Sequence, residues 1–174
     1  MNKEIQNSIK LNKNDYLFYL AFADDPDCLK LAMYLGNYYT GINQYNLMNI
    51  QKSIYYYSKA ANNGDSMALF SLGFIYFYEK YKHQDINKAI QYFKLSSNLN
   101  NSLAQYNLAE IYYKGIYVNK DINKAIRYFT LSADGGYVMS QFNLGEMYYF
   151  GKNVKQNIYE SIKYYELASK QNHA

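Results

Sequence analysis

LAEIYYKGIYVNKDINKAIRYFTLSADGG, residues 108–136, decides the fold, because the rest of the chain repeats it. Thirty-six residues earlier stands LGFIYFYEKYKHQDINKAIQYFKLSSNLN (72–100), and 36 later LGEMYYFGKNVKQNIYESIKYYELASKQN (144–172). A fourth copy begins at Leu35 (LGNYYTG) and rejoins the register at Ile50, after an internal loop one residue longer. Self-similarity at a fixed period of roughly 20–50 residues is the signature of stacked repeats, each too small to bury its own apolar face.

Within each copy two helical patterns alternate. In the first, apolar or small residues recur at i, i+4, i+7 and i+8: Ala68, Leu72, Ile75, Tyr76; Ala104, Leu108, Ile111, Tyr112; Ser140, Leu144, Met147, Tyr148. The earliest copy has Leu31, Leu35, Tyr38 and Tyr39 at these places. That spacing draws one stripe along a helix. The residue after the Leu is always small (Gly36, Gly73, Ala109, Gly145), which predicts a close neighbour there. The second pattern reads Ile86, Ala89, Ile90, Phe93, Ser96, Ser97 and returns as Ile122, Ala125, Ile126, Phe129, Ser132, Ala133. Its small residues let two helices approach while the aromatic fills the space between. Gly64, Asn100, Gly136 and Asn172 fall where left-handed C-terminal caps are expected. Asp85, Asp121 and Asn157 precede the second helices as N-caps.

These residues resemble the Sel1-like repeat, a relative of the tetratricopeptide repeat. The third copy carries the pattern almost throughout: Ala104, Leu108, Ala109, Tyr112, Gly115, Val118, Asp121, Lys124, Ala125, Tyr128, Phe129, Ala133 and Gly136. The fourth keeps Leu144, Gly145, Tyr148, Gly151 and Val154 but has Asn157 at the Asp position and Glu160-Ser161 at Lys-Ala. The second has Glu79 for the loop Gly and Lys82 for the Val. The resemblance spans about 28–172. It implies an all-α fold, a right-handed α-solenoid of antiparallel helix pairs, acting as an adaptor for other proteins without a common active site. The expected organisation is a flexible tail at 1–14 and one solenoid over 15–174. The solenoid comprises a leading half-repeat at 15–27 and repeats starting near 28, 65, 101 and 137.

At 100° per residue from each Leu, positions −2, +2 and +5 point away from the second helix. They read Phe70, Phe74, Phe77; Tyr106, Glu110, Tyr113; and Phe142, Glu146, Tyr149, with Met33, Asn37 and Thr40 in the earliest copy. In tetratricopeptide-like stacking this face lines a concave groove, so these nine form the candidate partner-binding set. Aromatics dominate interface hot spots, and a groove of this kind suits a docked peptide or helix. For Phe70, Tyr106 and Phe142 the simpler reading is packing between helices. A second candidate surface is the last second helix, where Ile162 and Tyr165 are expected inside the hairpin. Tyr164 and Leu167 are then expected exposed, at the centre of a contact with a second copy or a partner.

Composition excludes several other classes. The chain has 174 residues, 49% of them hydrophobic, with 24 Tyr, no Trp and a formal net charge of +4. That charge is too mild to argue for nucleic acid, although its excess of base falls within 88–174. Single-stranded nucleic-acid binding, with the aromatics stacking bases, is the alternative. Against it stand Glu110 and Glu146 in the groove, while Lys52, Lys88 and Lys124 read as a solvated outer face. The single cysteine, Cys28, excludes an internal disulfide framework and fits a reducing compartment. His83 and His173 have no third ligand at metal spacing, and Asp24, Asp25 and Asp27 around Pro26 read as a solvated turn. No apolar run suits a signal peptide or a membrane span. The expectation is a soluble, intracellular, non-enzymatic binding protein without metal or cofactor.

Overall fold

The computed structural model describes residues 47–78 and 84–171. The expected tail, the half-repeat at 15–27, Cys28, the first helix of the earliest repeat, His83, Asn172 and His173 lie outside the described residues. Among those described there are seven helices and no strand. The chain divides into two compact units, 1–63 and 64–174. In the first lies helix α1 (Leu47–Asn62). Its last turn is closed by Asn63, whose side-chain amide donates to the Lys59 carbonyl at 3.0 Å.

The second unit holds α2 (Ser66–Phe77), α3 (Ile86–Asn98), α4 (Ser102–Lys114), α5 (Ile122–Asp134), α6 (Val138–Phe150) and α7 (Ile158–Lys170). Helices α2 and α3 pair, as do α4 with α5 and α6 with α7, and each pair packs on the next through α3·α4 and α5·α6. This is the right-handed solenoid of antiparallel helix pairs, with repeats about 36 residues long.

Local chemistry sets the ends of these helices. The carboxylates of Asp85 and Asp121 accept from the backbone N–H of Lys88 and Lys124, both at 3.0 Å. Asn157 accepts from Tyr159 and Glu160. Such caps satisfy N–H groups that have no partner within the helix. Asp65 and Asn101 do the same for the first helices α2 and α4, which the sequence reading did not anticipate. Gly64, Asn100 and Gly136 all take positive φ, at 84°, 59° and 84°. The three cap positions that follow the second helices are thus left-handed, as their residue types require.

The core is the sum of the two stripes. Leu72, Leu108 and Leu144 are fully buried, as are Ala68, Ala104, Ala89, Ala125 and Phe93. Buried polar groups stitch the pairs together. The Ser96 and Ser132 hydroxyls donate to the Ser66 and Ser102 carbonyls at 2.6 and 2.7 Å, tying the end of each second helix to the start of its first. Between pairs, the buried Gln105 and Gln141 amides donate to the carbonyls of Ser97 and Ala133. A buried polar group without a partner is costly. These bonds therefore fix the register of one repeat on the next.

The small residue after each Leu has a specific neighbour. A Cβ built on Gly73 would stand 2.6 Å from Phe93 Cδ1, and one on Gly145 2.8 Å from Tyr165 Cδ1. What passes close is the ring of the second helix, not its backbone.

Candidate functional site

Because that ring crosses the bare glycine, it reaches toward the far side of the first helix. The rings expected to point away from the second helix therefore flank it. Phe70 and Phe77 lie 5.8 and 6.0 Å from Phe93 between ring centroids. Tyr106 and Tyr113 lie 5.9 and 6.3 Å from Phe129, and Phe142 lies 5.6 Å from Tyr165. This corrects the simple helical projection: in α2 and α4, positions −2 and +5 straddle the second-helix aromatic and are half-buried. Phe74, at +2, packs 4.3 Å from Tyr78. Phe70, Phe74, Phe77, Tyr106 and Tyr113 are half-buried, whereas Phe142, Glu146 and Tyr149 are exposed.

Between these side chains run two hollows. One, of about 230 Å³, is lined by Phe77, Tyr78, Tyr106, Asn107, Glu110, Ile111, Lys114, Ile116 and Tyr117. The other, of about 170 Å³, is lined by Glu110, Tyr113, Phe129, Asn143, Glu146, Met147 and Lys152. Glu110 lines both, so the two hollows lie side by side along a grooved face that runs from the end of α2 across α4 to α6. Loop residues complete it. Tyr117 meets Phe77 edge-on at 5.3 Å, and Lys120 and Lys152 each lie over the Tyr113 ring, at 5.6 and 5.9 Å from its centroid. Asn153 donates to the Tyr113 hydroxyl at 3.4 Å. These loop contributions carried no periodic signal in the sequence.

The groove's charges are mixed. Glu110 pairs with Lys114 one turn on, and that hydrogen bond raises the Lys114 pKa against the opposing effect of burial. Burial, with the nearby Glu110 charge, raises the Tyr106 hydroxyl above its ordinary value. Glu146 is exposed and forms no ion pair among the described residues.

Lys114, Lys120 and Lys152 of the basic second half border the groove, whereas Lys88 and Lys124 are placed elsewhere. Tyr76 stacks on Tyr92, Tyr112 on Tyr128 and Tyr148 on Tyr164, at 5.8, 5.9 and 5.9 Å and within 10° of parallel. Lys88 lies 4.2 Å over Tyr76 and donates to its hydroxyl, and Lys124 lies 5.3 Å over Tyr112. The pairs α2/α3 and α4/α5 thus each carry a tyrosine stack capped by a lysine, worth of order 0.5–1 kcal/mol at an exposed site. Lys88 and Lys124 do not line the groove.

That stacking also corrects the second candidate surface. Tyr164 is the inner partner of Tyr148 and only 6% exposed, whereas Ile162, expected inside, is 51% exposed. Ile90, at the same phase, is 7% exposed because α4 follows it, whereas no described helix follows α7. Leu167 is exposed, but so are its counterparts Leu95 and Leu131. Its exposure therefore belongs to its phase in the repeat.

Among the described residues no group of three His, Cys, Asp or Glu is placed to hold a metal ion. Nor is any helix long and apolar enough to cross a membrane.

The family model described as Sel1 repeat matches residues 28–65, 66–101, 102–137 and 138–173. Among solved structures, the chain is similar to a Sel1 repeat protein from Oxalobacter formigenes at 23% identity. That match covers 87% of this chain and 62% of the other, with a TM-score of 0.71; it shows the fold alone. It is also similar to c5321, a protective antigen of uropathogenic Escherichia coli displaying an SLR fold, at 25% identity. Coverage there is 88% and 32%, with a TM-score of 0.71. A third similarity is to Helicobacter pylori cysteine rich protein B, at 27% identity over 75% and 92%, with a TM-score of 0.57. The chain spans less than two thirds of the first two of these proteins. Comparison with curated proteins gives no match.

Proposed function

The chain belongs to the Sel1 repeat family, and from that premise we propose that it is a non-enzymatic adaptor that captures a segment of a partner protein in the groove across α4 and α6. Sel1 repeats commonly serve as protein–protein interaction scaffolds. The observation that carries the reading is the groove itself: half-exposed aromatic rings held by packing against Phe93 and Phe129, with carboxylates between them. Rings fixed from behind lose little freedom when a partner covers their edges, which is how aromatic residues come to dominate interfaces.

The test is affinity purification with the wild type and with a Glu146→Lys/Tyr149→Ser variant, each with and without nuclease. Both residues are exposed, so the variant should keep its fold. The adaptor reading expects proteins that are retained through nuclease treatment and lost with the variant. Partners that vanish with nuclease, and an affinity falling steeply with salt, would overturn it in favour of nucleic acid. Self-association through α7 is a second reading, favoured by the exposed Ile162. Light scattering on an Ile162→Glu/Leu167→Glu variant checks it. Equal masses for variant and wild type would remove it.

A further inference from the structure

We propose that the hollow bounded by Phe77, Tyr78, Tyr106, Tyr117 and Glu110 binds an alkylammonium group, supplied by a lysine side chain of the segment in the groove. The inference rests on the reading of that groove as a partner site and names what the partner must bring. Four aromatic side chains, the Glu110 carboxylate and the Lys114 ammonium line a single solvent-open hollow. Aromatic faces carry negative quadrupole potential and attract ammonium ions within about 6 Å of the ring centroid. A carboxylate among such rings adds the full charge that selects a cation over a neutral group of the same shape.

The chain already treats this groove as a place for ammonium groups. Lys120 and Lys152 lie over the Tyr113 ring in the neighbouring hollow, and Lys114 reaches back to Glu110 from one turn on. The Lys114 ammonium is favoured there first by its hydrogen bond to Glu110, against the opposing effect of burial. Yet Lys114 is a tethered and exchangeable occupant. Its side chain is 57% exposed against 23% for Glu110, and exposed pairs of this spacing contribute little. Among the described residues no cation lies over the rings of Phe77, Tyr106 or Tyr117. These rings also pack against neighbouring rings, so the hollow offers their remaining open surface together with a loosely used carboxylate. A lysine entering from a partner can take both.

The test is nuclear magnetic resonance of the full chain titrated with n-butylammonium chloride. Butan-1-ol and sodium chloride at equal concentration serve as controls for apolar and ionic effects. Saturable shifts are expected at Glu110, Tyr106 and Tyr117, exceeding those from either control. Glu110→Gln should weaken binding at least fivefold with an unchanged melting temperature, and Lys114→Met should tighten it several-fold by removing the competitor. Shifts no larger than those from butan-1-ol, or equal affinity in Glu110→Gln, overturn the site. If butylammonium fails while the Glu146→Lys/Tyr149→Ser variant still loses its protein partner, only the cation site falls. If butylammonium binds while no partner depends on the groove, the adaptor reading falls and the site stands.

Discussion

Replacing Gly73 with alanine sets two opposed terms against each other, and the structure decides between them. Alanine in a helix interior is about 1 kcal/mol better than glycine, so on propensity alone the change stabilises α2. However, the new Cβ would lie 2.6, 2.7 and 3.2 Å from three carbons of the Phe93 ring, where carbon atoms ordinarily touch at about 3.5–4.0 Å. The ring cannot retreat, being fully buried and flanked by Phe70 and Phe77. Overpacking of this kind costs about 1–3 kcal/mol. The net expectation is a loss of up to about 2 kcal/mol, read as a lowered midpoint in urea denaturation. The same substitution in a Phe93→Leu background meets no ring, and should then stabilise by about 1 kcal/mol. The cycle cancels the cost of Phe93→Leu itself and isolates a coupling of about 1–3 kcal/mol. The third repeat shows that the geometry is negotiable when built in from the start: Ala109 and Phe129 there are both buried. If Gly73→Ala stabilises by the same amount in both backgrounds, the glycine is not there for the ring and the packing argument is wrong.

Two further perturbations probe the hairpins. Ala125 is fully buried where α5 meets α4, so Ala125→Phe should cost about 1–3 kcal/mol, while Gln91→Lys, exposed on α3, should stay within about 0.5 kcal/mol of wild type; equal tolerance in a thermal melt would reject the assignment of faces. The Asp121 carboxyl is held below its ordinary pKa, first by the Lys124 side chain and then by the Lys124 backbone N–H. Its contribution is therefore complete above the ordinary carboxylate range and is lost as pH falls through the lowered value. Wild type should exceed Asp121→Asn in stability at neutral pH, and circular dichroism melts should show the gap closing in acid; a gap that widens in acid would contradict the sign.

The repeat itself was open to reading because it is written in residue types with few alternative uses. Left-handed caps need Gly or Asn, and N-caps need short side chains with an acceptor. Gly64, Asn100, Asp85 and Asp121 therefore announced their backbone geometry before any fold was known. The candidate groove was legible only as a face. A projection at 100° per residue treats side chains as short spokes. Phe93 and Tyr165, lying across Gly73 and Gly145, reach the far face and collect Phe70, Phe77 and Phe142 around them. Tyr164 was misplaced for a related reason. In the aromatic pairs Tyr92-Phe93, Tyr128-Phe129 and Tyr164-Tyr165 both rings have partners, the first with a first-helix tyrosine and the second beside the small residue. Hydrophobic spacing does not separate these two destinations. The Gln105 and Gln141 bonds between repeats had a signal, since the two residues share a phase. A glutamine on a helix reads as solvent-facing until its buried acceptor is known.

Site-specific photo-cross-linking tests the central claim most directly. A benzoylphenylalanine is placed singly at Tyr113 in the groove or at the exposed Tyr149 of α6, or at Leu95 or Leu131 on the exposed side of the second helices. The account predicts cross-links to a partner protein from Tyr113 and Tyr149, abolished by Glu146→Lys, and none from Leu95 or Leu131. Cross-links from Leu95 and Leu131 with none from Tyr113 or Tyr149 would place the partner on the other face and contradict it.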